Sequence, residues 1–539
     1  MSVTLRRARS FGAIIAGLAL AVTACTAGGS GGGGGDASGG GDEPGTLTIN
    51  TSFVVKSLDP GQVYEATGNT TVHALYDTLL TFEGADVGTP VPELAESYEM
   101  SADATTFTFT LRDDAVFSDG SPVTADDVVF SLNRLRNLKG SPSITVTELT
   151  ASKVDDHTVV VTSAQPNPNV PTILAAPATG ILNSAVAAEN GATDAEDAAE
   201  TDSATAYLDA NSAGSGPYVL TSFDPASQIV LEANPEYWGE QPAYPRVVIR
   251  NMDIQNQKLT MSRSGGDEIA LDLSGKLLED LPDELQVSGV QDTFYFLTLN
   301  ADPAVSEITA DPAFVRALRA AIDYQGVAEL FGSDGLPAAG VVPPAFPGTL
   351  PESEAQQQDV ALAEQLLADA GLVNPTVSFM YPSITYRGVD LGTVATKIQS
   401  DAAAAGITLE LDPQPLSSFL DAQRGGQVPL RFSPQSLNYP VAASLVNNYL
   451  PGQGTAMTTG WTVERADPAV LAAAAAVQSS LEPEAQQAAV QEWQRVMNEH
   501  SPFIPFAYNS GFVVATAELT GAEYSPAGWQ VDIAAVGRD

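Results

Sequence analysis

Residues 106–134 read TFTFTLRDDAVFSDGSPVTADDVVFSLNR, and the two periodicities in this stretch decide the fold class. In its first part, Phe107, Phe109 and Leu111 fall on one face of an extended chain with threonines between them, as in a half-buried strand. A turn follows at Ser118-Asp119-Gly120. Thr124 then has the chemistry of a helix N-cap, and Asp126 and Asp127 suit the positive end of the helix dipole. Val128, Val129, Leu132 and Leu135 recur at helical spacing and form the buried stripe.

The same alternation extends both ways. Leu47-Thr48-Ile49-Asn50 reads as a strand, broken at Ser57-Leu58-Asp59-Pro60, and residues 71–82 carry Val72, Leu75, Tyr76 and Leu79 at helical spacing. Residues 185–212 are rich in Ala and acid with no basic residue, which predicts an exposed helix or loop. Strands are expected at 218–220, 229–231, 246–250 and 294–300. Asp311 caps a helix that starts at Pro312 and turns Phe314, Leu318 and Ile322 inward. Further helices are expected at 356–370, ended by Gly371, at 388–405, ended by Gly406, and from Pro483 to about Asn498. Alternating helices and strands predict α/β layers. From residue 46 onward about 490 residues remain, beyond the ~250–300 at which single cores stop growing, so more than one lobe is expected.

The N-terminus reads as an address. Arg6, Arg7 and Arg9 precede an apolar run from Phe11 to Ala24, shorter than the ~20 residues of a spanning helix. The run ends in Leu20-Ala21-Val22-Thr23-Ala24-Cys25, which resembles the bacterial lipobox, in which the cysteine is lipidated and becomes the first residue. Residues 1–24 are therefore expected to be a signal peptide and Cys25 a lipid anchor to the outer face of the cell membrane, two acyl chains being enough for stable attachment. Residues 25–45 read as a tether of Gly, Ser and acid with a coil span of roughly 20–25 Å. Cys25 is the only cysteine, so the fold has no internal disulfide.

Loss of Arg6, Arg7 and Arg9 with the signal peptide takes the formal charge from −43 to −46. Such a polyanion is a poor partner for nucleic acid, which is held through Lys and Arg. His73, His157 and His500 show no ligand spacing, so neither a direct metal site nor a cofactor is expected. Among 66 acids, paired carboxylates carry no weight as a sign of a hydrolase. The G-x-S-x-G match at Gly28–Gly32 lies in the tether, without the strand and helix that motif needs. An enzyme is not expected.

Three stretches together resemble the family 5 extracellular solute-binding proteins, the oligopeptide-, dipeptide- and nickel-type receptors of ABC importers. The first is Phe107–Arg112 through Phe117–Gly120 to Thr124–Arg134. The second is Gly214-Ser-Gly-Pro-Tyr218 with Asn234-Pro-Glu-Tyr-Trp-Gly239. The third is Phe314-Val-Arg-Ala-Leu318 with Ala321-Ile-Asp323. The resemblance implies a two-lobed α/β fold of the type II periplasmic-binding-protein kind. Lobe I would comprise 46–85, 213–293 and 507–539 with an inserted subdomain at 86–212, and lobe II 294–506. It also implies a monomer that closes on a small-molecule or short-peptide ligand and delivers it to ABC permease subunits. The alternatives are a secreted hydrolase, or a surface receptor or chaperone on the same scaffold without a transporter.

By the same resemblance, the loop after Pro60 reaches the cleft at Tyr64, Glu65 and Ala66. In peptide-type members a Trp-x-x-Asp-Tyr-like stretch holds the peptide's amino group. Its counterpart here is Gln435-Ser-Leu-Asn-Tyr439, with Gln435 at the tryptophan position and Asn438 at the aspartate position. Asn cannot neutralise an ammonium, which shifts weight toward an uncharged or blocked ligand. Arg424 and Arg431 are candidates for clamping a carboxylate, and Tyr439, Trp461 and Tyr508 are candidate aromatic contacts.

Overall fold

The computed structural model describes residues 45–263, 265–437 and 439–539. Cys25 and the segments expected around it, residues 1–44, lie outside the described residues, as does Asn438. An 11-stranded sheet organises the chain. Thr46–Thr51 lies between Arg246–Asn251 and Glu268–Ala270, parallel to both, and is buried along its whole length. The alternation at Leu47–Asn50 therefore does not mark a one-faced strand. Parallel strands are covered on both sides, and Thr48 and Asn50 are interior too.

Two long strands, Gln286–Leu299 and Phe503–Ala515, run antiparallel to each other across the middle of the sheet. At one end the second borders Glu268–Ala270, pairing Ala515 with Ile269. At the other end the first borders Leu430–Ser436, pairing Thr298 with Arg431. Each long strand thus contributes one half to each of two lobes. The pairing slips between Gln291 and Thr293, leaving Asp292 as a bulge where the strands pass between them. Ile49, Tyr76, Val247 and Val513 belong to the core on one side, and Leu297, Phe314, Val394 and Phe432 to the core on the other.

A separate four-stranded antiparallel sheet runs Ala95–Met100, Thr106–Leu111, Thr158–Ser163, Leu149–Asp155, with Phe107 and Phe109 fully buried. Helix Ala125–Leu138 begins where Thr124 predicted it. Asp127 closes its first turn by accepting the Thr124 N–H at 2.9 Å and hydroxyl at 2.8 Å, while its other oxygen accepts the Ser184 N–H and hydroxyl. Further along this helix, Arg134 forks onto both oxygens of Asp59 at 2.7 Å and onto Asp202 at 2.8 and 3.0 Å. All three side chains are 2 % exposed or less.

Two expectations are corrected. The helix expected over 71–82 is Ala66–Leu75, and a strand, Leu80–Glu83, follows. The helix stops because the Gly216 N–H takes the Leu75 carbonyl at 3.2 Å, which a continuing turn would need. Gly214 is packed so closely there that a Cβ would lie 2.1 Å from the same oxygen. Residues 185–212 are not a free surface segment. They form short helices, Ser184–Glu189, Ala198–Thr201 and Thr205–Leu208, that bury Ala187, Ala198 and Leu208. Two of the segment's acids are engaged inward, Asp202 by Arg134 and Asp209 by the Ser57 hydroxyl and Leu58 N–H at 2.7 and 2.8 Å, while Glu196, Asp197 and Glu200 are exposed.

Candidate ligand-binding cleft

A cavity of about 210 Å³ opens at the bulge, lined from both lobes. One side comes from the start of helix Ala66–Leu75 and from the C-terminal segment around Tyr524–Gln530. The other comes from Tyr386, Arg387, Ser436 and Leu437. Trp529 is held in place by a face-to-face stack on His73, ring centroids 3.8 Å apart. Burial pushes the His73 pKa down, against the pull of nearby Asp532, so this ring is held toward its neutral form.

Arg387 reaches the cavity from the tip of a hairpin. Thr385–Tyr386 pairs with Val389–Asp390, and the turn residues Arg387 and Gly388 have φ of 45° and 75°. Two left-handed residues in a two-residue turn match the type I′ geometry that suits hairpin twist, where Asn-Gly is the usual pair. Arginine in that conformation is strained, and such outliers concentrate at functional sites. The guanidinium pairs with both oxygens of Asp292, at 3.1 Å for Nη2 to Oδ2 and closer for Nη1 to Oδ1. Nη2 also donates to the Tyr524 hydroxyl at 3.2 Å, and that hydroxyl donates to Asp292 Oδ2 at 2.6 Å. Burial opposes the charge on Arg387, but Asp292 beside it overcomes this and holds its pKa well above the usual value. Burial raises the Tyr524 pKa, so it stays a neutral donor.

Of the residues expected in the cleft, Tyr64 and Ala66 line this cavity, and Tyr64 is half exposed. Glu65 lies between them, and its carboxylate accepts the Tyr64 N–H at 3.4 Å. The others are placed elsewhere. Arg424 is exposed on helix Leu416–Gly425 and pairs with Asp421 at 2.6 Å. Arg431 is buried on strand Leu430–Ser436, with Thr458 at 2.9 Å as its hydrogen-bond partner. Burial lowers its pKa to about 10. Gln435 accepts the Tyr449 hydroxyl at 2.5 Å. Trp461 packs edge-on against Phe503 beneath a separate hollow, and Tyr508 exchanges hydrogen bonds with the Gly340 backbone at 2.9 Å. Tyr439 lines a different space of about 550 Å³, between residues 163–173 and lobe II. The sequence reading missed Arg387, Asp292, Tyr524 and Trp529. The Arg387-Gly388 pair at the turn is not one of the Asn-Gly or Asp-Gly pairs that announce a hairpin, so the local sequence did not mark it.

The two-lobed α/β arrangement, with two long strands passing between the lobes, is the fold of the type II periplasmic binding proteins. The chain belongs to the bacterial extracellular solute-binding proteins, family 5, whose middle-region model matches residues 89–457. This is a family of binding proteins, not enzymes. The chain is 31% identical over 308 residues to the probable D,D-dipeptide-binding periplasmic protein DdpA of Escherichia coli K12, covering 55% of this chain and 57% of that one, less than two thirds of its length. It is 26% identical over 444 residues to the periplasmic oligopeptide-binding protein OppA of the same strain, covering 76% and 78%. The substrate-binding protein CtaP of Listeria monocytogenes has the same fold, with a TM-score of 0.77 at 17% identity over 92% of this chain and all of that one.

Proposed function

We propose that this protein is the solute-capturing component of an ABC importer. It holds a small polar or peptide-like ligand in the cleft at Asp292 and delivers it to membrane-embedded permease subunits. The observation that carries this reading is the cavity lined from both lobes at the point where the long strands pass between them. A ligand there touches both lobes at once and so favours the closed arrangement over the open one. The relatives named for dipeptide and oligopeptide binding support a peptide-like ligand. The expected boundaries of lobe I, at about residues 293 and 507, lie beside the bulge.

The proposal is tested by thermal-shift screening of peptides, peptide amides and oligosaccharides. A cleft ligand at about 100 times its Kd adds roughly 2.7 kcal/mol to unfolding and raises Tm. Tyr64→Ala and Trp529→Ala should each weaken that shift. A hit untouched by both variants binds outside the cleft and would sink the proposal.

Cys25 carries the anchor in this reading, and the tether gives the lobes room to meet a permease. Cys25→Ala should move the protein from the membrane fraction to the medium. Full retention on membranes would rule the lipid out.

A further inference from the structure

Among the described residues lining the cleft, the only formal charges are Arg387 and Asp292, and they neutralise each other. Arg387 spends its guanidinium on Asp292 and Tyr524. Asp292 in turn accepts from Arg387, from the Tyr524 hydroxyl and from the Thr293 hydroxyl at 3.2 Å. Asp292 is nearly buried, with 7 % of its side chain exposed. The remaining polar lining is neutral: Asn69, Ser436, Ser525 and Gln530, with Tyr64, Tyr386 and Trp529 supplying flat apolar faces.

This arrangement discriminates by charge. A ligand carboxylate could take Arg387 only by displacing Asp292, which would then sit buried, without its cation, beside a second negative charge. A ligand ammonium drawn to Asp292 would strand Arg387 in the same way. An uncharged ligand leaves the pair intact and meets only neutral donors, acceptors and aromatic faces.

Building on the reading of this cleft as a solute site, we propose that it selects uncharged, hydrogen-bonding ligands such as blocked peptides or neutral oligosaccharides. Arg387 and Asp292 stay paired in the liganded protein as a clasp between lobe II and the bulge. Arg387 sits at the left-handed position of its hairpin turn, with its guanidinium on Asp292.

The test uses one dipeptide scaffold, Ala-Ala, in four forms: free, N-acetylated, amidated, and both acetylated and amidated. Maltotriose and its terminal uronic acid form a second pair. All are titrated calorimetrically against the full mature protein. Expected is binding of the doubly blocked peptide or of maltotriose, with each singly charged counterpart roughly 100-fold weaker. Which neutral compound binds separates a peptide source from a glycan source. The Asp292→Asn variant should free Arg387 and tighten the acetylated, anionic peptide by about tenfold or more.

Tighter binding of the free or singly charged peptides by the parent protein would overturn the inference and leave the solute-binding reading standing. If Asp292→Asn does not fold, the matched series on the parent protein decides alone. Failure of all six compounds to bind would count against the solute-binding reading itself, and the inference would fall with it.

Discussion

Arg134→Ala should lower the free energy of unfolding by about 3–5 kcal/mol, the usual effect of removing one partner from a buried ionic cluster. Among the described residues the guanidinium is the only cation paired with Asp59 and Asp202, and all three side chains are 2 % exposed or less. Without it both carboxylates stay buried, and Asp59 keeps only the Thr205 hydroxyl at 3.0 Å and hydrogen bonds from its own turn. Arg134 also fastens the helix of the small sheet to the 57–60 loop, which leads directly to Tyr64. Ligand affinity should therefore fall along with stability. Urea unfolding followed by tryptophan fluorescence measures the first effect. The triple variant Arg134→Ala, Asp59→Asn, Asp202→Asn should recover part of the loss, because the uncompensated charges are gone. A single variant within about 1 kcal/mol of the parent would show that the cluster contributes no more than an ordinary surface substitution.

Asp77→Asn should stabilise the protein above neutral pH and flatten its pH dependence. Asp77 is buried beneath Trp238 and Ser215, which donate to it at 2.8 Å each. Burial raises its pKa to about 6, and those two hydrogen bonds only partly offset this. Burial also raises the Glu93 pKa, with the Asp77 charge adding to it. A raised folded pKa means that folding favours the protonated acid. The Asp77 contribution is therefore complete below the unfolded pKa of 3.8 and is lost as pH climbs through about 6. Roughly two pKa units correspond to about 3 kcal/mol. His73 has the opposite sign, since its depressed pKa removes stability as pH falls below its unfolded value of 6.5. Comparing Asp77→Asn with the parent isolates the carboxylate. The variant should melt higher at pH 8 and level with the parent near pH 4. A lower Tm at pH 8 would mean that Asp77 is held ionised by its two donors.

Local signals in the sequence led to correct elements wherever one residue's chemistry sufficed. Asp311 does cap the helix that starts at Pro312, accepting the Ala313 N–H at 2.8 Å. Gly371 and Gly406 do follow helices, in left-handed conformations. Failures came where a distant partner decided. Nothing in residues 71–82 shows that Gly216 will take the Leu75 carbonyl, and alternation cannot tell that Thr46–Thr51 has strands on both sides. The cleft follows the same rule. Tyr64 and Ala66 were reached through family resemblance, whereas Arg387 lies 95 residues from Asp292 and 137 from Tyr524, so no spacing links them. Arg424 and Arg431 were candidates because a guanidinium can clamp a carboxylate with two hydrogen bonds. One of them is solvated beside Asp421, and the other is enclosed in the lobe II core.

The strand Phe503–Ala515 is buried from end to end and lies in the middle of the main sheet, yet it is among the last elements in the chain. Its partner strand begins more than 200 residues earlier, so this pairing has a high sequence separation and is slow to form. A ribosome-bound chain that has not reached residue 503 lacks the strand that joins both halves of the sheet. Neither lobe can complete its hydrogen-bonded interior at that stage. Loss of the last forty residues, 500–539, would remove this strand whole and abolish the native state.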